Sequence, residues 1–419
     1  MKKLFKTKRK INIAFIKRGG LGAGGSERWL QFAAITFVKN NYNVDYYYSE
    51  DRQDINRIKD LKKNNVNLIP FKIKRIANNS EWIDTDFWKK FDENNYDFIS
   101  TVMYCSTEYP FNKIKKPIIP ALMFGVHVDL TKSILHSFFP SEWLRLKWIK
   151  NGGSKLKSSV IPIPIDRPFN TNNFRKKLKI KNSDIVAGFH QRVDNSIFSN
   201  IPLNAFKNFD GSDFYFIIMG GSEKYKTQAK ALKLKNVIFL PHSSDHSIIS
   251  QFLNTLNIFA HGRSDGETYG TVFAEALIHG LPCLSHYTGI DDAQKNTMGP
   301  HGVFAKNQIE YGQFLEKFFV NKSFRNKLKL NSKNFAKKNY YRPLIEKKII
   351  KSFSNIAYKK RKFYQKHRVL FVLNVFYIRL VKSICIQLSR LLPFSGMRRN
   401  FRKFIIHRAN FRFINFELY

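Results

Sequence analysis

Short apolar runs recur along the chain at intervals that leave room for a helix between them. INIAFI, residues 11 to 16, reads as a buried strand; the loop KRGGLGAGG follows, and an amphipathic helix starts near Ser26. Further strands are predicted at Val44 to Ser49, Val66 to Phe71, Asp97 to Val102 and Ile118 to Phe124. Such spacing suits an open parallel sheet. In SSVIPIPIDRPF, Pro162, Pro164 and Pro168 forbid regular structure, so a domain boundary is placed there. A second alternating series begins at Asp184, with IVAGFH, FYFIIMG, NVIFLP, NIFAHG and LPCLSH as its apolar runs. The expected architecture is α/β: two doubly wound, Rossmann-like domains facing a cleft, the first over residues 1–165 and the second over 166–340. From Ile309 the pattern turns helical and lysine-rich. Residues 341–358 read as a helix crossing back to the first domain, and 359–419 as a basic helical extension.

Length agrees with two cores, because 419 residues exceed one ordinary domain and the 43% hydrophobic fraction can fill both. Charge adds a different constraint. The chain has 72 Lys and Arg against 31 Asp and Glu, a formal net charge of +41, which attracts polyanions and says nothing about fold. Lys, Asn, Ile and Phe are all frequent, so AT-rich coding accounts for part of the lysine. Cys105, Cys283 and Cys385 lie too far apart for a zinc ligand set or a disulfide framework, and a reducing compartment is expected. The apolar run at the start is too short for a signal peptide, and no stretch approaches the roughly 20 apolar residues of a spanning helix. A cytoplasmic protein, peripheral on the cytoplasmic face of a membrane, is the expectation.

The tail sharpens that expectation. Residues 359–419 carry fifteen Lys or Arg and one acid, Glu417. Phe376, Leu380, Ile384, Leu388 and Leu391 share one helical face, with Arg379, Lys382, Gln387 and Arg390 opposite. A basic amphipathic helix of this kind lays its apolar face among headgroups while its cations meet anionic lipid. Nucleic acid is disfavoured as a partner, since no aromatic stacking motif or recognisable module accompanies the charge.

The densest chemistry lies in HGRSDGETYGTVFAEALIHGLPC, residues 261 to 283. It sets Glu267 in a glycine-punctuated loop, Gly270 at a helix start and Glu275 within the helix. Amides at a helix N-terminus hold phosphate, because their hydrogens are unpaired and the helix dipole is positive there. Backbone amides of Gly270, Thr271 and Val272 would take a diphosphate, a carboxylate further along can accept from both hydroxyls of a ribose, and one before the helix can reach a sugar. Glu275 lies beside Val272, Phe273, Ala276 and Leu277, and a carboxylate among apolar neighbours needs a partner.

The block DGETYGTVFAEALIHGLP resembles the E-x7-E signature of the retaining glycosyltransferases of family 4, which have the GT-B fold. GAGGSERW at residues 22 to 29 resembles that family's N-terminal glycine loop, Val126-His127 its short histidine motif, and FFPSEWLRLKW followed by VIPIPID its entry into the second domain. The resemblance covers most of residues 11 to 340. It implies that Glu275 binds the nucleotide ribose and Glu267 the donated sugar, that Arg192 neutralises the diphosphate, and that His127 contacts the sugar or the acceptor. Gly24 and Gly25 let phosphate or acceptor approach the first helix. The family supplies a lysine five residues after the arginine, where this chain has Ile197; Arg263 or His190 could replace that charge.

The resemblance further implies a nucleotide sugar as co-substrate, a glycan or lipid-linked acceptor in surface polysaccharide or glycolipid synthesis, and neither metal nor other cofactor. Two rival readings stand beside it. One is a non-catalytic, membrane- or polyanion-binding protein on a degenerate scaffold of this type, suggested by Ile197 and the charge. The other is an NAD-dependent oxidoreductase, since Gly20, Gly22 and Gly25 satisfy G-x-G-x-x-G and Glu50 or Asp51 ends the next strand.

Overall fold

The computed structural model describes residues 10–22, 24–78, 80–103, 108–124, 128, 133–211 and 213–358. Cys105, His127, Cys385 and the extension 359–419 therefore lie outside the described residues. Residues 1–352 form one compact unit and 353–419 a second, of which 353–358 are described, as helix.

The first sheet holds seven strands: β1 (Asn12–Lys17), β2 (Asn43–Ser49), β3 (Asn67–Phe71), β4 (Phe98–Met103), β5 (Ile118–Leu122), β6 (Ser137–Phe139) and β7 (Ser158–Val160). Their spatial order is β3-β2-β1-β4-β5-β6-β7, parallel throughout. Six more build the second: β8 (Ile185–Gln191), β9 (Phe214–Gly220), β10 (Val237–Leu240), β11 (Ile258–Ala260), β12 (Cys283–His286) and β13 (Gly302–Ala305). They run β10-β9-β8-β11-β12-β13, again all parallel. Both sheets are Rossmann-like, and in each the order reverses beside the first strand, which opens a crevice at the carboxyl ends.

Five helices bear on that crevice. α1 (Gly25–Lys39) follows β1 and buries Trp29, Leu30, Phe32, Ala33 and Phe37; it ends at Asn40, followed by Asn41 in the left-handed region at φ 67°. α2 (Glu142–Lys150) sits between β6 and β7, where the Ser141 hydroxyl accepts from Leu144 N at 3.1 Å and caps it. α3 (Glu223–Ala231) follows β9, and α4 (His246–Thr255) follows β10, capped by Asp245. α5 (Thr271–Ile278) joins β11 to β12 and is buried from Phe273 to Ile278.

Some elements depart from the sequence reading. The strand expected over Ile118 to Phe124 stops at Leu122, and β7 occupies only the start of the proline-rich segment, because Pro162 and Pro164 remove the next ladder donors. An antiparallel hairpin, Ile73–Ile76 with Trp82–Thr85, was not anticipated. It brings Trp82 onto Phe71 at 5.2 Å between ring centroids, so an aromatic lid covers the end of edge strand β3.

The segment after β7 is fixed from both sides. Ile161 O accepts from Trp29 Nε1 at 3.0 Å, Ile163 O from Tyr269 OH at 3.1 Å, and Asp166 takes a two-point bond from Arg342 at 2.6 and 2.7 Å. A helix starts at residue 342, and Arg342 also lies over the Phe32 ring of α1, 5.8 Å from its centroid. Among the described residues no helix is long and apolar enough to cross a membrane.

Candidate functional site

Gly270 is the N-cap of α5, with φ 81° and ψ 62°. An added Cβ there would come within 2.8 Å of Phe273 Cδ2, so both the left-handed backbone and the packing require glycine. Gly270 supplies no side-chain cap. The first-turn amides of Thr271 and Val272 are thus not covered by a capping side chain, at the switch point of the second sheet, where a helix start binds anions well.

Glu275 lies on the second turn of α5 and is buried. Its partner comes from the first domain: Arg28 Nη1 donates to Glu275 Oε1 at 2.6 Å. His190 Nε2, at the end of β8, stands 3.4 Å from Oε2, within ion-pair range but unaligned for a hydrogen bond. Burial pushes the Glu275 carboxyl up, but Arg28 and His190 together outweigh it and hold the group well below the usual carboxylate range. In the sequence Arg28 stands in the glycine-loop segment GAGGSERW, where its reading went no further than capping and pairing; the demand of a carboxylate in an apolar helix for a partner was the hint that it pairs across the two domains.

Glu267 lies on a two-residue strand, Gly266–Glu267, paired in parallel with Asp291–Asp292. Its Oε1 accepts from Arg263 Nη1 at 3.0 Å, while the rest of that guanidinium grips Asp265 at 2.8 and 2.7 Å. Burial raises the Glu267 carboxyl despite Arg263, with the Asp265 charge adding to the rise. Arg263 itself, though burial opposes its charge, is held ionised by these two carboxylates. Its charge is balanced within its own loop by Asp265 and Glu267.

Arg192 is the more available cation. Its side chain is 60% exposed and pairs with Asp194 at 3.0 Å. Ile197 is buried in the loop after β8, so the position holding an apolar residue here belongs to the core rather than to the crevice surface. Gly24 caps α1 and Gly25 opens it. Beside them Glu27 accepts from Ser26 Oγ at 2.8 Å and pairs with Lys17 at 3.2 Å. Gly20 packs on the following loop: a Cβ would lie 2.2 Å from Arg52 O. That glycine of the dinucleotide-like pattern therefore has a chain-packing cause.

The crevice thus joins Gly24, Gly25 and Arg28 from the first domain to His190, Gly270 and Glu275 from the second. Two further contacts tie α2 to the segment bearing Glu267: Ser141 Oγ donates to Thr268 O at 2.6 Å, and Lys147 Nζ lies 3.0 Å from Ile290 O. Several buried polar atoms at the strand ends have no hydrogen-bond partner, among them Ser222 Oγ, His261 Nε2 and Arg28 Nε. Buried orphans of this kind are costly unless something else satisfies them.

Residues 170–335, within the second domain, match the family model described as glycosyl transferases group 1. HepE of Anabaena, solved in complex with UDP and glucose, is 15% identical and superposes with a TM-score of 0.64 over 82% of this chain and 100% of its own. A glycosyltransferase from Rickettsia africae is 13% identical, with a TM-score of 0.63 over 84% and 99%. Sucrose-phosphate synthase from Thermosynechococcus elongatus is 12% identical, with a TM-score of 0.64 over 84% and 100%. At such identities the likeness concerns the fold, which is GT-B. Comparison with curated proteins finds no match.

Proposed function

We propose that this chain transfers a glycosyl group from a nucleotide sugar to a glycan or lipid-linked acceptor, with retention of configuration and without a metal ion. One observation carries the reading: two carboxylates, half-buried Glu267 and buried Glu275, flank a helix start capped by left-handed Gly270 at the switch point of the second sheet. The amides of Thr271 and Val272 would take the diphosphate, and Arg192 would turn from Asp194 to add charge. Ionised Glu275 would accept from the ribose hydroxyls, and Glu267 would reach the sugar. In a retaining transfer the leaving phosphate takes the acceptor proton, so the protein orients rather than deprotonates. His127 would be one of the orienting groups, and the extension 359–419 would hold the enzyme at an anionic membrane beside a lipid-linked acceptor.

The fold relative HepE was solved with UDP-glucose, which makes uridine the first base to test. The experiment is a thermal-shift screen of UDP, GDP, ADP and CDP, followed by hydrolysis of the matching nucleotide glucose. A ligand that binds only the folded protein raises the transition as its occupancy rises. One of the four is expected to do so, and Glu275→Gln is expected to shrink the shift and to abolish the hydrolysis. A wild type indifferent to all four would leave the non-catalytic scaffold as the better reading.

A further inference from the structure

Arg28 and Glu275 stand 247 positions apart and bridge the first turns of α1 and the second turn of α5, helices of different sheets. A carboxylate offers about four acceptor positions. Arg28 takes one at Oε1, and His190 lies beside Oε2 without a bond. Capacity for two further hydroxyls remains. Arg28 is not exhausted either, since its buried Nε has no partner.

We propose that Arg28 is the positioning residue for nucleotide binding: from the first domain it orients, and keeps ionised, the carboxylate that the second domain presents to the ribose. This rests on the assignment of Glu275 to the ribose made above. It has a consequence that a ribose contact confined to one domain lacks. Ribose recognition becomes complete only when both domains are apposed, so the sugar donor is held fully where the acceptor side is already in place. Arg28 touches no reacting atom; it acts through Glu275.

The test titrates the full chain calorimetrically with UDP and with 2′,3′-dideoxy-UDP, in the wild type, Arg28→Gln, Arg28→Lys and Glu275→Gln. Should UDP not be the base selected in the thermal screen, the selected diphosphate and its dideoxy analogue replace the pair. Hydrogen bonds to a charged acceptor lead to an expected wild-type preference for the ribonucleotide of about tenfold or more. Glu275→Gln and Arg28→Gln are both expected to lose it, while binding of the dideoxy compound changes little; Arg28→Lys, which keeps the charge without the planar fork, restores part. If Glu275→Gln retains the preference, or no diphosphate binds the wild type, the ribose assignment itself falls. If Glu275→Gln loses the preference and Arg28→Gln keeps it, or Arg28→Gln weakens both nucleotides equally, the role of Arg28 is overturned. Where Arg28→Gln does not fold, Arg28→Lys decides, and an undiminished preference there overturns the proposal.

Discussion

Replacing Arg28 by Gln removes the cation from a carboxylate whose side chain is 9% exposed. An unpaired buried charge costs about 3–5 kcal/mol. The reverse change, Glu275→Gln, is milder. Arg28 is 18% exposed and can turn a donor toward water, so about 1–3 kcal/mol is expected. In the double variant two neutral amides face each other and can hydrogen-bond, so its loss should fall well short of the two single losses combined. The coupling energy is expected at about 3 kcal/mol. On the scale of a 150–250-residue domain, Arg28→Gln should lower the transition by about 6–20 °C. The assay is a thermal double-mutant cycle, repeated from pH 8 to pH 4.

The pH series carries its own sign. The folded Glu275 carboxyl is depressed, so its contribution is present above the ordinary glutamate value of about 4.3 and is lost only as the pH falls through the lower folded value. Without Arg28 the carboxyl loses the largest influence opposing its burial and rises from that low value, with His190 still beside it, so the variant has less charge-linked stability to lose as the pH falls. His246 is lowered by burial and next by the Arg28 charge, so in Arg28→Gln it takes up its proton with less loss of stability in acid, which narrows the difference further; His279, lowered by burial with no part from Arg28, changes little. The gap between wild type and Arg28→Gln should therefore narrow on acidification. Additive single losses, or a gap that widens in acid, would show that the ion pair does not hold Glu275 as described.

Three further outcomes follow from the same geometry. Gly270→Ala forces a left-handed backbone on a residue with a Cβ, at about 1–2 kcal/mol, and drives that carbon onto Phe273; a total loss of about 2–4 kcal/mol is expected in urea unfolding, and a loss below 0.5 kcal/mol would contradict the cap geometry. Burial pushes the Cys283 thiol up and keeps it from reagent, so Cys283→Ser should leave the number of thiols titrated by DTNB unchanged in the native protein and reduce it by one in urea. Arg192→Ala should shift stability by no more than about 0.5 kcal/mol, because the side chain is largely exposed. Under the proposed function it should also weaken diphosphate binding and flatten its salt dependence, read by calorimetry at two ionic strengths; unchanged affinity would remove Arg192 from the phosphate site.

Longer strands buried on both faces were legible in the sequence, because parallel sheets covered by helices read as unbroken apolar runs: INIAFI became β1 and FYFIIMG became β9, whereas β6, wholly buried but three residues long, was not read. The hairpin Ile73–Ile76 with Trp82–Thr85 escaped because it is mostly solvent-facing and only Ile73 and Trp82 pack on the core, which leaves no period to read. The site divides in the same way. Gly270 and Glu275 were visible because a helix start and an apolar helix each make a local demand, one for an acceptor on its unpaired amides and the other for a counter-charge. Local demands name the missing partner only by type. That the cation is Arg28, rather than Arg192 or Arg263, depends on how α1 lies against α5, a relation between two sheets that no stretch of chain encodes. Once that contact exists, the charges sort themselves by reach: Asp265 and Glu267 hold Arg263, and Asp194 holds Arg192 at the surface. Arg28 is then the cation bonded to the buried carboxylate of α5, so one of the places where the two domains depend on each other chemically is also the place where the ribose is proposed to bind.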